Sequence, residues 1–192
     1  MIDVRLLALA DWPFHADPAT LAAQHDVSAV VCLGDLQPSW IESLERVRLP
    51  KLGVYGNHDH DPYMHRFGID DMHLRRVELD HGPSITGFQG CVTYPGRRGE
   101  AGSSYNQHQA WRLMRRLPRA DILLCHCPPS GVNDDPCDPA HHGFAALRHW
   151  VLEHRPRLLP HGHTHPHPGA LQTRLGDTRV VHVSAARIID LA

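Results

Sequence analysis

The chain has 192 residues, with 19 Lys and Arg against 21 Asp and Glu and a formal net charge of −2 when histidine is neutral. That balance gives no electrostatic mandate for nucleic acid or a membrane surface, and no apolar stretch reaches the roughly 20 residues that cross a bilayer. The length suits one domain, 1–192, whose core needs neither disulfides nor oligomerisation in order to fold.

The first apolar run, Val4 to Ala10, reads as a strand. With Asp3 and Arg5 near its start, the N-terminus does not resemble a signal peptide, and the expected location is the cytoplasm. A helical pattern from Pro18 to His25, a strand at Ala29 to Leu33, a second helix from Ser39 to Val47 and a strand at Leu52 to Tyr55 make a β-α-β-α-β unit. From Leu79 to Val92 the pattern shortens into strand-like pieces broken by Gly82-Pro83, Gly87 and Gly90, followed by an amphipathic helix from Asn106 to Leu117. Further apolar runs lie at Ile122 to Cys125, Leu158 to Leu159 and Val180 to Val183, with a helix at Phe144 to His154 between the first two. The tail, Gly169 to Leu191, reads as three short strands around the turn Gly176-Asp177. Interleaved strands and helices followed by antiparallel-looking strands predict two packed sheets flanked by helices.

The polar motifs follow the apolar runs. Asp11 comes after LLALA, Gly34-Asp35 after AVVCL, Gly56-Asn57-His58-Asp59 after KLGVY, His126 after ILLC, and Gly162-His163-Thr164-His165 after RLLP. In open α/β sheets ligands bind beyond the carboxyl ends of the strands, so five such motifs point to one site. Two carboxylates, an amide oxygen and three imidazoles form a mixed O/N donor set suited to Mn²⁺, Fe or Zn²⁺. His163 and His165 are two apart, which sends both side chains to one face of an extended segment.

The order Asp11, GD, GNHD, His126, GHTH resembles the calcineurin-like metallophosphoesterase family over nearly the whole chain. The resemblance implies a four-layer α/β/β/α sandwich with two mixed sheets and a centre of two divalent ions, Mn²⁺ being the first choice. It implies that Asp35 bridges the ions, that Asp11 and His165 hold the first, and that Asn57, His126 and His163 hold the second. The resemblance also implies that His58 lies outside the coordination shell as the catalytic histidine, with Asp59 orienting it. The implied chemistry is hydrolysis of phosphodiesters or phosphomonoesters by a metal-bound hydroxide, with His58 assisting by charge stabilisation or proton donation. The alternative is a metal-binding scaffold or regulatory protein of the same fold with little turnover.

One position departs from the family pattern. The histidine expected two residues after the first aspartate falls on Pro13, which has no metal-binding atom. Either the first site is weakened, with water filling its shell, or His15 swings in as a surrogate, or a single ion is held firmly. Arg97 and Arg98 are either a phosphate clamp or a solvated pair in the loop Tyr94 to Ser104. His161 and His167 extend the alternation HGHTHPH; they either line the pocket or tune His163 and His165 from behind, or, as Pro166 and Pro168 favour, belong to a loop turning into solvent. Cys125 and Cys127 flank His126 and read as buried structural thiols, and His141-His142 as decoration at the start of a helix.

Overall fold

The computed structural model describes residues 4–80, 82–94 and 104–191; Arg97 and Arg98 lie outside the described residues. In chain order the strands and helices are β1 (Val4–Ala10), α1 (Pro18–Gln24), β2 (Ala29–Cys32), α2 (Pro38–Ile41), β3 (Lys51–Gly53), β4 (Asp70–Asp71), β5 (Arg76–Glu78), β6 (Ser84–Phe88), β7 (Cys91–Val92), β8 (Ser104–Tyr105), α3 (Gln107–Met114), β9 (Ile122–Cys125), α4 (Ala145–His154), β10 (Leu158–His161), β11 (Gln172–Leu175), β12 (Thr178–His182) and β13 (Ala185–Leu191). Among the described residues, no helix is long and apolar enough to cross a membrane.

Two mixed sheets carry the fold. The first runs β13-β1-β2-β3-β4, with β1 to β4 parallel and β13 antiparallel to β1. The second runs β11-β12-β10-β9-β6-β5, with parallel β12, β10, β9 and β6 between antiparallel edges. The tail thus divides. β11 and β12 complete the second sheet, whereas β13 crosses back to pair with β1 over Val4 to Ala10.

The layers follow from side-chain alternation along each strand. Leu6, Ala8 and Ala10 of β1 join Ile122 and Leu124 of β9 in a core between the sheets. Leu7 and Leu9 face the other way, into a layer with Ala22 of α1, Ile41 of α2 and Leu44. Leu123 and Cys125 likewise pack against Ala110 and Met114 of α3 and Leu147 and Trp150 of α4. Strands covered on both faces favour nearly continuous apolar residues, which explains runs such as VRLLALA and ILLC. Helices, two sheets and helices make the α/β/β/α sandwich.

Local chemistry sets the helix ends. Asp17 accepts from the Thr20 amide at 3.1 Å ahead of Pro18, and Asn106 with Gln109 forms a reciprocal capping box on α3. The helix expected from Ser39 to Val47 is instead one α turn followed by a 3-10 segment at Glu42–Arg46. Lys51 Nζ donates to the carbonyls of Leu44 and Val47 at 2.8 and 3.1 Å, satisfying these terminal groups from outside the helix.

Gly87 of β6 sets how closely the sheets approach. A Cβ there would lie 2.6 Å from Val54 Cγ1 and 2.9 Å from Met72 Cβ. Gly87→Ala is expected to destabilise the protein by about 1–3 kcal/mol through overpacking. Urea denaturation measures this, and a change below about 0.5 kcal/mol would show that the intersheet gap is adjustable.

Candidate metal centre

The parallel strands of both sheets deliver their carboxyl ends to a single edge of the sandwich. Seven of the eight site residues read from the sequence line one cleft of about 690 Å³ there: Asp11, Asp35, Asn57, His58, Asp59, His163 and His165. The eighth, His126, is fully buried.

Three of these residues leave their strands through left-handed backbone. Asp11 has φ 61°, Asp35 φ 54° and His163 φ 67°. Aspartate and histidine are among the side chains best able to occupy that region, and local strain of this kind is concentrated at functional sites. Gly34, at φ 93°, brings the Asp35 loop so close to the next that a Cβ on it would sit 2.2 Å from Gly56 N.

Hydrogen bonds lock the loops together. His163 N donates to Asp11 Oδ2 at 2.9 Å, joining the sheets, and His58 N donates to Asp35 Oδ1 at 2.6 Å. The Asp59 carboxylate accepts from the amides of Gly56, Asp35 and Leu36 at 2.7, 2.9 and 3.2 Å. Asp59 therefore ties the GD loop to the GNHD loop through backbone amides. This differs from the expected role of orienting the His58 ring, and the reason is geometric. The carboxylate turns towards three amides, while the His58 side chain stands exposed at the cleft.

His126 occupies the centre. Its Nδ1 lies 2.8 Å from the Leu33 carbonyl, which can only accept, so Nδ1 carries a hydrogen and Nε2 is the atom left to take a proton or a metal ion. That Nε2 faces Asn57 Oδ1 at 2.9 Å and Asp35 Oδ2 at 3.3 Å. Ligand atoms of Asp11, Asp35 and His126 all lie within 4.8 Å of one another. Burial opposes charge on His126, but Asp35 and Asp11 outweigh it and push the imidazole up to about 9. Burial raises Asp11 to about 6. Burial acts on Asp35 as well, but His126 and the His58 amide outweigh it and lower that carboxyl. Converging acceptors of this kind call for a cation, and the oxygen and nitrogen donors suit a divalent metal.

His163 is similarly prepared. Its Nε2 donates to the Ala140 carbonyl at 2.9 Å, which leaves Nδ1 as the lone-pair nitrogen, and its ring lies 4.9 Å from that of His126. His165 is exposed, its ring 6.5 Å from Trp12.

The structure does not bring His15 to the cleft. Pro13 lines the cleft itself, Phe14 packs edge-on against Trp40 at 6.4 Å, and His15 is exposed beyond them. The expectation that His161 turns into solvent is also corrected. It ends β10, is fully buried, and bonds Gly162 O and Asn133 at 2.9 and 3.0 Å. His141, read from the sequence as decoration at a helix start, instead lines the cleft beside His163 and His165; the signal for this was the spacing Asp138-x-x-His141, an aspartate cap one turn before an imidazole. Cys125 and Cys127 are buried, as expected of structural thiols.

A sandwich of two mixed sheets with this donor set at its strand ends defines a phosphoesterase-type metal fold. A family model described as the calcineurin-like phosphoesterase superfamily domain matches residues 5–185, and the chain belongs to that superfamily. Its members are in general hydrolytic phosphoesterases that bind divalent metals. Among solved structures, one aligns over 99% of this chain and 96% of its own with a TM-score of 0.72 at 16% identity. The protein TT1561 of Thermus thermophilus aligns over 94% of this chain and 88% of its own with a TM-score of 0.63 at 18% identity. Both likenesses concern the fold. No curated protein matches the chain.

Asp59→Ala strands buried amides, each costing about 1–3 kcal/mol, and is expected to lower both stability and bound metal. Unchanged denaturation and metal content would remove Asp59 from the loop-locking role. Burial holds His161 down to about 3, against 6.5 as its ordinary value. Its contribution to stability is therefore complete above pH 6.5 and lost as pH falls towards 3, at about 1.4 kcal/mol per pH unit. Urea denaturation between about pH 7 and 4.5 is expected to show a shallower pH dependence for His161→Gln than for wild type, and equal slopes would contradict this.

Proposed function

We propose that the protein is a metal-dependent phosphoesterase acting on phosphodiesters or phosphomonoesters, with Mn²⁺ as the preferred ion and Fe or Zn²⁺ as alternatives. The observation that carries this reading is the convergence of Asp11, Asp35, Asn57 and His126 around acceptor atoms that need a cation. Asp35 would be shared between two ions, Asp11 and His165 would hold the first, and Asn57, His126 and His163 the second. Bound divalent ions supply Lewis-acid polarisation of the phosphoryl oxygens and lower the pKa of water.

The chain's own groups do the rest. His58 is exposed at the cleft, with its backbone anchored to Asp35, and its imidazole can donate a proton to the leaving oxygen. Trp12, Pro13, Leu36 and Trp40 give the cleft an apolar wall that fits an ester bearing an apolar or planar group. The scaffold alternative gives no reason for an exposed histidine held at the mouth of the site.

Bis-p-nitrophenyl phosphate and p-nitrophenyl phosphate, assayed with Mn²⁺, are expected to be hydrolysed by wild type. His58→Ala is expected to lose about 10²–10⁴-fold in rate while retaining metal. Wild-type turnover no greater than that of His58→Ala with any of Mn²⁺, Fe²⁺ or Zn²⁺ would favour the scaffold.

A further inference from the structure

The departure at Pro13 leaves the first ion one imidazole short, with His165 alone to supply one, and the loop before α4 brings another to the same cleft. His141 lies with Asp11, Pro13 and His165 on that cleft. It closes a short 3-10 turn, Pro139–His141, capped by Asp138.

Asp138 orients the ring. One carboxylate oxygen accepts from the Ala140 amide at 3.0 Å and the other lies 2.6 Å from His141 Nδ1. An ionised carboxylate only accepts, so Nδ1 carries the hydrogen and Nε2 presents its lone pair on the opposite side of the ring. Metal-binding histidines are held in this way, with the second nitrogen donating to a carboxylate or carbonyl. The turn is also fastened to the centre, because the Ala140 carbonyl accepts from His163 Nε2 at 2.9 Å.

The spacing of the rings agrees. An ion about 2.1 Å from an imidazole nitrogen lies about 3.2 Å from the ring centroid, so two rings sharing it at about 90–120° have centroids about 4.5–5.5 Å apart. The His141 ring lies 5.2 Å from that of His165 and 5.4 Å from that of His163, and of the two sites these rings serve it is the first that lacks a ligand, at Pro13.

We propose that His141, oriented by Asp138, is the ligand that completes the first metal site in place of the histidine absent at Pro13. The inference rests on the metal-dependent reading above. It assigns a protein ligand where water or His15 was expected.

The test is metal stoichiometry and affinity of the full chain, stripped with chelator and titrated with Mn²⁺ alone, with Co²⁺ absorption reporting the coordination shell. Wild type is expected to take two ions. His141→Ala is expected to weaken the first by at least about 10-fold and to change the Co²⁺ spectrum, and Asp138→Asn to weaken it by about 10–100-fold. Pro13→His in the His141→Ala background is expected to restore it, and His15→Ala to leave both ions unchanged. Circular dichroism melting verifies that each variant folds; should His141→Ala not fold, Asp138→Asn and the Pro13→His double variant carry the test. Two-ion uptake by wild type with unchanged affinity in folded His141→Ala overturns the proposal alone. Wild type that binds no metal overturns it together with the phosphoesterase reading.

Discussion

The buried His126 imidazole holds the two sheets and the candidate centre together. Nδ1 donates to the Leu33 carbonyl beyond β2, while the residue itself follows β9 in the other sheet. Nε2 then meets Asp35 and Asn57 at the floor of the cleft, where His126 and Asn57 are buried and Asp35 nearly so. Unpaired charge is costly there, so the aspartates require a shared cation, whether a proton on the imidazole or a metal ion. One side chain thus joins intersheet packing to the chemistry.

The turns around it are strained for the same purpose. Asp11, Asp35 and His163 all have positive φ, a conformation that costs a non-glycine residue of order 1–3 kcal/mol. Bonds from His163 N to Asp11, from His58 N to Asp35, and from three amides to Asp59 hold these turns in place. These bonds fix the carboxylates and imidazoles of the cleft relative to one another, and the apolar strands behind them supply the rigidity.

Burial divides the centre into a floor and a rim. His126 and Asn57 are buried, whereas His58 and His165 are exposed and Trp12 is 55% exposed. Pro13 belongs to the rim. A change of side chain there alters the open side of the cleft and leaves the floor intact, and the rim is also where the Asp138–His141 turn enters.

Much of this is legible in the amino-acid order because strand and loop chemistry are local. Apolar runs mark β1, β2 and β9, since strands covered on both faces favour continuous apolar side chains. The polar residues ending those runs mark the cleft, so the two-sheet architecture and the donors at the strand ends can be read from the residues alone. It takes the folded chain to show that His161 is buried, that β13 leaves its neighbours to pair with β1, that His15 stays out and that His141 enters. Periodicity reports which face of an element is apolar, but which distant loop meets which strand end is set by the packing of the whole chain.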